Sequence, residues 1–382
     1  MYVAGGLGAH SRVGSLLEQF VPAGAAGRIA EAVKRVFDKH GNRRDRRRAR
    51  LRFVVEDLSF EEFERLYRAE LGEPVGRPLQ APQRESSQSA AGQVLPQKQA
   101  GLFAIEIAPP LGIVNAGQLR QLAAIAGRCG EGRVRATSWQ TMALRNVPAE
   151  SIETVTAELT QAGLWHERPP ILRHMATCAG ASTCRLGIGL SRGLANAVQR
   201  ALLNSGLDLA GAAGQLTLHI SGCPNSCGHH PIASIDLFGA ARRVKGRLTP
   251  YYVVQFGGHV EEGHTRLATG DYAISARNVP AFLVDFLRAV ERSRHNPDFA
   301  AFLAGEGSAT ALALSAIHGS VPEFQHAKSF TLIGARPRHS EPADSSPRRS
   351  GPPAHCWSLA ANKRIPTGRH SSCSTVCLFN RA

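Results

Sequence analysis

Long apolar runs are missing from this sequence of 382 residues. No stretch approaches the ~20 apolar residues that a transmembrane helix needs. The first twenty residues, which include Arg12 and Glu18, lack the layout of a secretory signal peptide. These absences predict a cytoplasmic protein without a membrane partner. In that reducing compartment, the eight cysteines are expected to be thiols or metal ligands rather than disulfides.

Glycine-rich nucleotide-binding patterns and an excess of acidic residues are also missing. No G-x-G-x-x-G run stands between a strand and a helix, so nothing indicates a flavin or nicotinamide site. Lys and Arg number 45 against 30 Asp and Glu, a formal net charge of +15, and much of the excess lies at 41–52 and after Phe330. A solvated face or a nucleic-acid surface is one interpretation, but no aromatic residues are interleaved with the arginine run at 41–52. A carboxylate-rich ligand is the other, because guanidinium groups bind carboxylates through paired hydrogen bonds.

Apolar periodicity predicts two helices near the start of the chain. One covers Ala25–His40 and stops at Gly41. The other opens with a capping box formed by Ser59 and Glu62. Residues 71–100 are polar, with Pro, Gln and Ser, and are expected to be a linker.

Two α+β segments follow this linker. Residues 101–165 predict the order strand–helix–strand–strand–helix, with Asn115 at the start of the first helix, and this half-domain needs a partner sheet. The segment 170–305 carries a predicted helix at Cys184–Leu203, strands at 215–220, 232–238 and 251–256, and a closing helix at Val279–Arg292. The predicted fold class is therefore α+β.

The two ends of the chain differ from its middle. Val254–Gly258, with a polar stretch and a helix after it, matches Tyr2–Gly6, which has its own polar stretch and helix. We therefore expect the chain to begin within its first repeat, as a fragment or a split gene product. Residues 331–382 are rich in Pro, Ser, Arg and Gly and are expected to be disordered or translated out of frame. Cys373 and Cys377 lie in this tail, and we interpret their spacing as a coincidence.

Four cysteines in two pairs carry the most specific signal. Cys178 and Cys184 are separated by five residues, and Cys223 and Cys227 are separated by three. Two such pairs, brought together by a fold, commonly hold an iron–sulfur cluster. A zinc or purely structural site is the alternative, which the spacing disfavours because zinc knuckles place about two to four residues within each pair and often use histidine.

The runs around these cysteines resemble the signature of sirohaem-dependent nitrite and sulfite reductases. The first run is T-C-A-G-A-S-T-C-R-L-G from Thr177, and the second is H-I-S-G-C-P-N-S-C-G from His219. The resemblance implies a repeated architecture in which a ferredoxin-like half-domain precedes a sirohaem domain. On this basis 1–70 is the end of a first, truncated sirohaem domain, 101–165 is the second half-domain, and 170–305 is the second sirohaem and [4Fe–4S] domain.

The resemblance also implies the cofactors and their ligands. The four cysteines would ligate a [4Fe–4S] cluster, and Cys227 would also bridge to the iron of sirohaem. The carboxylates of sirohaem would be met by residues from the arginine run. These residues are Asn42, Arg43, Arg46, Arg47 and Arg50.

Two neighbouring features are expected to have other roles. Arg135, Thr137 and Gln140 resemble the R-x-T-x-x-Q turn of the family's half-domain, and in the second repeat this turn is more structural than catalytic. His229 and His230 follow the second cysteine pair and are expected to be polar surface.

The activity implied by the resemblance is the six-electron reduction of sulfite to sulfide, with ferredoxin or a similar protein as electron donor. Reduction of nitrite to ammonia at the same centre is an alternative. An inactive fragment, or a zinc- or nucleic-acid-binding module, is a further one. The family's anion-binding cations would all lie before Met1, so no catalytic residue is assigned, and a separate N-terminal half is an expected partner.

Overall fold

The structure, a computed structural model, describes residues 1–75, 92–295 and 297–321. Most of the predicted linker and the tail at 331–382, with Cys373 and Cys377, lie outside these residues. The described residues form a short hairpin with helices, a four-stranded sheet with helices, and a five-stranded sheet with helices. The predicted α+β class is confirmed.

The N-terminal segment packs helices against a short hairpin. Its elements are β1 (Tyr2–Val3), β2 (Ser15–Leu16), α1 (Ala26–His40), α2 (Leu51–Leu58) and α3 (Phe60–Leu71). Strands β1 and β2 pair antiparallel, and the helices bury Ile29, Val36 and Phe63 between them. Helices α1 and α3 agree with the prediction, and the Ser59 side chain accepts a hydrogen bond from Glu62 N at 3.3 Å.

The half-domain is an antiparallel sheet covered by two helices. Its elements are β3 (Val94–Pro96), β4 (Leu102–Ile107), α4 (Ala116–Arg128), β5 (Val134–Ala136), β6 (Met142–Pro148) and α5 (Ile152–Gln161). The strand order is β3-β4-β6-β5, and Ile105 and Leu144 lie in its core. Asn115 and Gln118 form a reciprocal capping box at the start of α4. The predicted element order agrees with this, and β3 is an edge strand within the predicted linker.

The cysteine-bearing part is a mixed five-stranded sheet, called the sheet domain below. Its elements are α6 (Pro170–Arg173), β7 (Ala176–Thr177), α7 (Ser191–Leu203), β8 (Leu218–Ser221), β9 (Ile235–Val244), β10 (Arg247–Phe256), β11 (Thr269–Ser275), α8 (Val279–Arg292), α9 (Phe299–Phe302) and α10 (Ser308–His318). The strand order is β11-β10-β9-β8-β7. Strands β7, β8 and β9 run parallel, and the other pairs are antiparallel. One face of the sheet packs its apolar side chains in a common core with α7 and α8.

Some elements differ from the sequence prediction. Helix α7 begins at Ser191 rather than Cys184, because residues 184–190 form a loop whose amides bind a neighbouring loop. Strand β8 begins at Leu218, after a 3₁₀ turn at Ala212–Gln215. Helix α2, strand β11 and the helices after α8 were not predicted.

The two copies of the internal repeat fold alike. In the first, β1 leads to a turn in which Gly6 forms an isolated antiparallel bridge with Arg12, and β2 and α1 follow. In the second, β10 leads to a turn in which His259 bridges Arg266, and β11 and α8 follow. Both strand pairs are antiparallel. The repeated Gly-Gly pattern therefore marks equivalent strand ends.

The C-terminal helices form an unusually apolar stretch. Phe299–His318 has 20 residues and contains an 18-residue window of mean hydropathy 1.4, of which 17% is buried. By length and composition it could cross a membrane, so the expectation that no such stretch exists is wrong. One such helix is weak evidence for a membrane span, since core helices of soluble proteins meet the same criterion. Phe302 and Ala311 are buried in the core of the sheet domain.

A buried ion pair joins the half-domain to the sheet domain. Arg173 Nε lies 3.1 Å from Glu106 Oε2, and His174 Nε2 lies 3.0 Å from Glu106 Oε1. Burial, the largest influence, raises the pKa of Glu106, but hydrogen bonds from His174 and Thr141 and the charges of His174 and Arg173 outweigh it. The net pKa of Glu106 is lowered, so this carboxylate stays ionised inside the contact.

The R-x-T-x-x-Q turn forms the second part of this contact. Gln140 Nε2 donates to Thr177 O at 2.7 Å, and Thr177 N donates to Gln140 Oε1 at 3.0 Å. The Trp139 ring stacks on His174 with 5.3 Å between centroids. Because Thr177 directly precedes Cys178, the turn fixes the strand from which the first cysteine emerges.

Replacing Arg173 with methionine is expected to lower the free energy of unfolding by about 3–5 kcal/mol, since Glu106 would keep a buried charge without its guanidinium partner. Urea denaturation followed by circular dichroism measures this. Arg128→Met is the matched control, because Arg128 pairs with Glu158 at the surface and should contribute less than about 1 kcal/mol. Equal losses in the two variants would contradict the structural role of the buried pair.

Candidate metal centre

Two loops bring the four cysteines to one edge of the five-stranded sheet. Cys178 follows β7 directly, with Cys184 further along the same loop, and Cys223 and Cys227 lie in the loop after β8. Strands β7 and β8 are parallel neighbours, so their carboxyl ends meet at the same edge. The Cys178 amide continues this pairing by donating to Ile220 O at 3.2 Å. The fold therefore brings together the two pairs that the sequence singles out.

Gly222 connects the two cysteine loops. Its carbonyl accepts hydrogen bonds from Ile188 N at 2.8 Å and from Gly189 N at 2.7 Å. Its own amide donates to the sulfur of Cys178 at 3.1 Å. Gly222, in the second loop, thus positions both Cys178 and the residues Ile188 and Gly189 at the far end of the first loop.

The contact between the loops requires glycine at two positions. A Cβ atom on Gly222 would lie 2.7 Å from the Cα of Gly180 and 2.9 Å from the carbonyl oxygen of Gly189. Gly180 itself has φ of +62°, which favours glycine, and a Cβ atom there would lie 2.4 Å from Ser191 Oγ. The loops therefore pack backbone against backbone.

Gly222→Ala is expected to destabilise the protein by about 1–3 kcal/mol, because the added methyl group overlaps backbone that cannot move away cheaply. It should also displace the Cys178 sulfur and reduce metal retention. Gly127→Ala is the control, since Gly127 lies in α4 and a Cβ atom there meets nothing within 4 Å. Thermal unfolding together with iron analysis would distinguish them, and equal behaviour would contradict the tight packing at Gly222.

The four thiols are close enough to influence one another. Cys223 is buried, Cys178 is half-buried, and Cys184 and Cys227 are exposed. Burial is the largest influence that raises the pKa of Cys227, and the thiols of Cys178, Cys223 and Cys184 raise it further. Four thiolates gathered in this way repel one another, and a bound cationic metal group would relieve that repulsion.

The surroundings of the thiols fit an iron–sulfur cluster. Besides accepting from Gly222 N, the sulfur of Cys178 lies 3.3 Å from Ser191 Oγ, and hydrogen bonds to sulfur tune the reduction potential of such clusters. Among the described residues, no three His, Cys, Asp or Glu side chains converge closely enough to hold a single metal ion. A [4Fe–4S] cluster presents a separate iron to each thiolate, so the four cysteines need not converge on one point to hold it.

The arginine run begins with local contacts. Asn42 Oδ1 accepts from Arg44 N at 3.0 Å and from Asp45 N at 2.9 Å, which shapes the turn after α1. Arg43 forms an ion pair with Asp38. These two predicted sirohaem contacts are therefore already engaged within their own segment.

The remaining predicted arginines are more available. Arg46, Arg47 and Arg50 are exposed, and within residues 1–75, 92–295 and 297–321 they make no ion pair. Exposed guanidinium groups without an acidic partner can bind a carboxylate ligand. Their contact with sirohaem stays a prediction.

Sequence reasoning missed the link between the N-terminal segment and the second cysteine loop. Ser226, next to Cys227, has φ of +59°, and its hydroxyl donates to Gly8 O at 3.1 Å. Arg52, at the end of the arginine run, supports this segment by donating to Gly6 O at 3.2 Å. Nothing local in the sequence pointed to Ser226 or Arg52.

Known families match two parts of the chain. The nitrite/sulfite reductase ferredoxin-like half domain matches residues 95–162. The nitrite and sulphite reductase 4Fe-4S domain matches residues 1–75. That second match falls on the copy of the repeat that contains no cysteine. Both matches nevertheless name the same family of reductases.

Relatives and a solved structure agree with these matches. The ferredoxin–nitrite reductase of Synechococcus elongatus is 30% identical over 248 residues, which cover 64% of this chain and 47% of that protein. The sulfite reductase (ferredoxin) of Mycobacterium tuberculosis is 29% identical over 269 residues, or 68% and 47% of the two proteins. The structure of the Mycobacterium tuberculosis NirA protein superposes with a TM-score of 0.66 at 26% identity, covering 79% of this chain and 56% of that chain. The chain belongs to the nitrite and sulfite reductase family.

Membership of the nitrite and sulfite reductase family confirms the resemblance found in the sequence. It also supports the predicted cofactors, a [4Fe–4S] cluster and sirohaem. The chain spans about half the length of the curated relatives it matches, 47% of each of the two named above. The names of the relatives divide between nitrite and sulfite, so the likeness does not decide the substrate.

Proposed function

We propose that this chain carries the electron-transferring centre of a ferredoxin-linked sulfite reductase. Its cluster ligands are Cys178, Cys184, Cys223 and Cys227, and Cys227 is also shared with the sirohaem iron. The observation that supports this most is the meeting of both cysteine loops at the carboxyl ends of two parallel strands. The donor set there is entirely sulfur, with an amide donor aimed at Cys178. Nitrite is the alternative substrate, since relatives of both kinds match.

The chain's own residues have distinct parts in this proposal. Sirohaem and the cluster, when bound, supply single electrons to an anion whose full reduction takes six. The four cysteines hold the cluster at the sheet edge, and Gly222 and Ser191 surround the sulfur of Cys178. The predicted carboxylate contacts toward sirohaem are Asn42, Arg43, Arg46, Arg47 and Arg50.

The first experiment is anaerobic production of the full chain with sirohaem supplied, followed by absorption spectroscopy and analysis of iron, acid-labile sulfide and zinc. A haem band together with iron and sulfide in the proportion of a [4Fe–4S] cluster is expected. A colourless protein would overturn the proposal and leave an inactive fragment as the interpretation. Bound zinc in place of iron would instead support the zinc module.

The choice of substrate needs a second experiment on the loaded protein. Sulfite and nitrite are added in turn, and the shift of the haem band and the formation of sulfide or ammonia with a one-electron donor are measured. A spectral shift and sulfide formation with sulfite are expected. If the protein responded to nitrite alone, nitrite would be the substrate in place of sulfite.

The electron donor, further partner and location follow from the same proposal. A ferredoxin or similar small protein is the proposed donor, because the sequence has no flavin or nicotinamide pattern. A separate N-terminal half is the proposed partner for substrate binding, and the cytoplasm is the proposed location. If the loaded chain holds both cofactors but reduces neither anion, adding the N-terminal half should restore activity.

A further inference from the structure

Three buried ionisable side chains lie outside the cysteine site. His219, His230 and Asp236 are 1%, 3% and 0% exposed, so the expectation that His230 is polar surface is wrong. Within the part of the chain that the structure describes, His219 Nε2, His230 Nδ1 and both carboxylate oxygens of Asp236 have no hydrogen-bond partner. Leaving a buried polar group without a hydrogen-bond partner destabilises the fold. Such groups call for a specific explanation, and a functional role is a common one.

Strand register places these three side chains next to one another. His219 on β8 pairs in parallel register with Asp236 on β9, and paired residues project to the same face of a sheet. This face is opposite to the one on which Leu218 packs into the apolar core. His230 lies with its ring 5.0 Å from that of Phe238, two residues after Asp236 on β9 and therefore on the same face. The three groups thus share one buried region.

The two histidines flank the loop that carries the second cysteine pair. His219 precedes Cys223 on β8, and His230 follows Cys227. His219 Nδ1 lies 2.9 Å from His229 O, and a backbone carbonyl can only accept, so Nδ1 carries the hydrogen. The Nε2 atom of neutral His219 therefore carries a free lone pair that can accept a proton.

We propose that His219, His230 and Asp236 form a buried proton-binding site whose occupancy follows the charge of the cluster held by the four cysteines. The site has this role only if the cysteines hold the cluster proposed above. When a ferredoxin-type donor passes one electron to the cluster, one proton from solvent forms an N–H bond at His219 Nε2. Both the electron and the proton leave on reoxidation, so the net charge of the region is unchanged through the cycle.

The charges around the site support this coupling. Burial, the largest influence, lowers the pKa of His219 and of His230 to about 4, so both are neutral at pH 7. Burial raises the pKa of Asp236 well above its usual value, which favours the uncharged acid. An electron added nearby in this low-dielectric region favours a protonated imidazole.

Neighbouring elements add few charges to this region. His174 of the half-domain contact faces His219 and lowers its pKa, and Trp139 lies between them, 5.5 Å from the His219 ring. The Arg173–Glu106 pair lies behind His174. On the other side, β10 places the uncharged Gln255 beside Asp236. Within the cysteine loop itself, His229 is adjacent to His230, and its charge also lowers the pKa of His219. The cysteine-held cluster, beyond His229, is the nearby group whose charge changes when an electron is transferred.

The test is the midpoint potential of the cluster in the loaded chain, measured by redox titration with electron paramagnetic resonance between pH 4.5 and pH 8. In the wild type the potential should fall as pH rises, by at most about 59 mV per pH unit, the one-electron equivalent of a tenfold change in proton concentration. His219→Gln should flatten this slope, and His230→Gln should reduce it. His318→Gln is the matched control, because His318 pairs with Asp285 between α10 and α8, and its slope should equal the wild type's.

Each outcome decides for or against the coupling. A wild-type potential independent of pH would overturn it, whatever the variants do. An unchanged slope in both His219→Gln and His230→Gln would overturn it as well. Iron and sulfide are measured in every sample, so absence of a cluster from the wild type would count against the proposed function itself. If His219→Gln alone loses the cluster, the slopes of the wild type and of His230→Gln still decide.

Discussion

Serine in place of Cys227 is expected to lower bound iron and sulfide by more than about tenfold, since even changes beyond the metal ligands commonly cost about 10–100-fold in affinity. The thiolate is the form that binds metal, and a serine hydroxyl does not supply an equivalent anion near neutral pH. Cys227 is also the proposed link to sirohaem, so the haem band should weaken with the iron. Iron and sulfide analysis after anaerobic purification measures the effect.

Cys129→Ser is the matched control for this result. Cys129 is a partly buried free cysteine at the end of α4 in the half-domain, and it belongs to neither cysteine loop. The same substitution there should leave the cluster content at the wild-type level. If Cys227→Ser kept its cluster, or if Cys129→Ser lost it to the same degree, the proposed set of four ligands would be wrong.

Acid is expected to destabilise the fold through the two buried histidines. The folded pKa of His219 and His230 is about 4, against about 6.5 in an unfolded chain. Between these values the unfolded state binds more protons than the folded state. The contribution of the two histidines to the free energy of unfolding is therefore fully present above about pH 6.5 and is lost as pH falls toward 4. Each histidine contributes about 3 kcal/mol to this loss.

Asp236 should show the opposite dependence. Its folded pKa is raised, so the unfolded state releases the proton first, and its contribution to stability falls as pH rises above about 4. We therefore consider the free energy of unfolding of each variant minus that of the wild type. This difference should increase as pH falls for His219→Gln and should increase as pH rises for Asp236→Asn. Urea denaturation of the full chain at several pH values measures both difference curves.

The signs of these two curves are the decisive feature. His318→Gln removes a histidine that already has an acidic partner, so it controls for the loss of any histidine ring. If the His219→Gln difference were independent of pH between 4 and 6.5, the imidazole would not be buried in its neutral form. A falling Asp236→Asn curve would likewise show that this carboxylate is ionised in the folded protein.

Regular elements and the cysteine pairs were predictable because their signals are local. Helix α8 was predicted with its observed bounds, since its apolar positions, among them Phe282 and Phe286, repeat at helical spacing. Helix α2 was missed because the arginine run before it obscured the short apolar group at Phe53–Val55. The spacing of the cysteines in the sequence suggests an iron–sulfur cluster without any knowledge of the fold.

The parts that failed depend on contacts between distant segments. The residues after Cys184 look helical, yet Gly187 and Gly189 allow a loop that binds the Gly222 carbonyl instead. The pairing of His219 with Asp236 exists only once β8 and β9 lie in register. Local periodicity carries no information about such partners. Neither the contact between the cysteine loops nor the buried group of His219, His230 and Asp236 could therefore be predicted from the sequence.

The hydrogen bond from Ser226 to Gly8 has a consequence for the order in which the protein is made. Its two residues are 218 positions apart, so at a synthesis rate of about 5–20 residues per second the N-terminal segment leaves the ribosome about 10–45 s before its partner exists. During that interval the carbonyl oxygen of Gly8 lacks the Ser226 hydroxyl from which it accepts in the folded protein. The loop of Cys227 can therefore reach its final shape only once both of these distant segments have been synthesised and have come together.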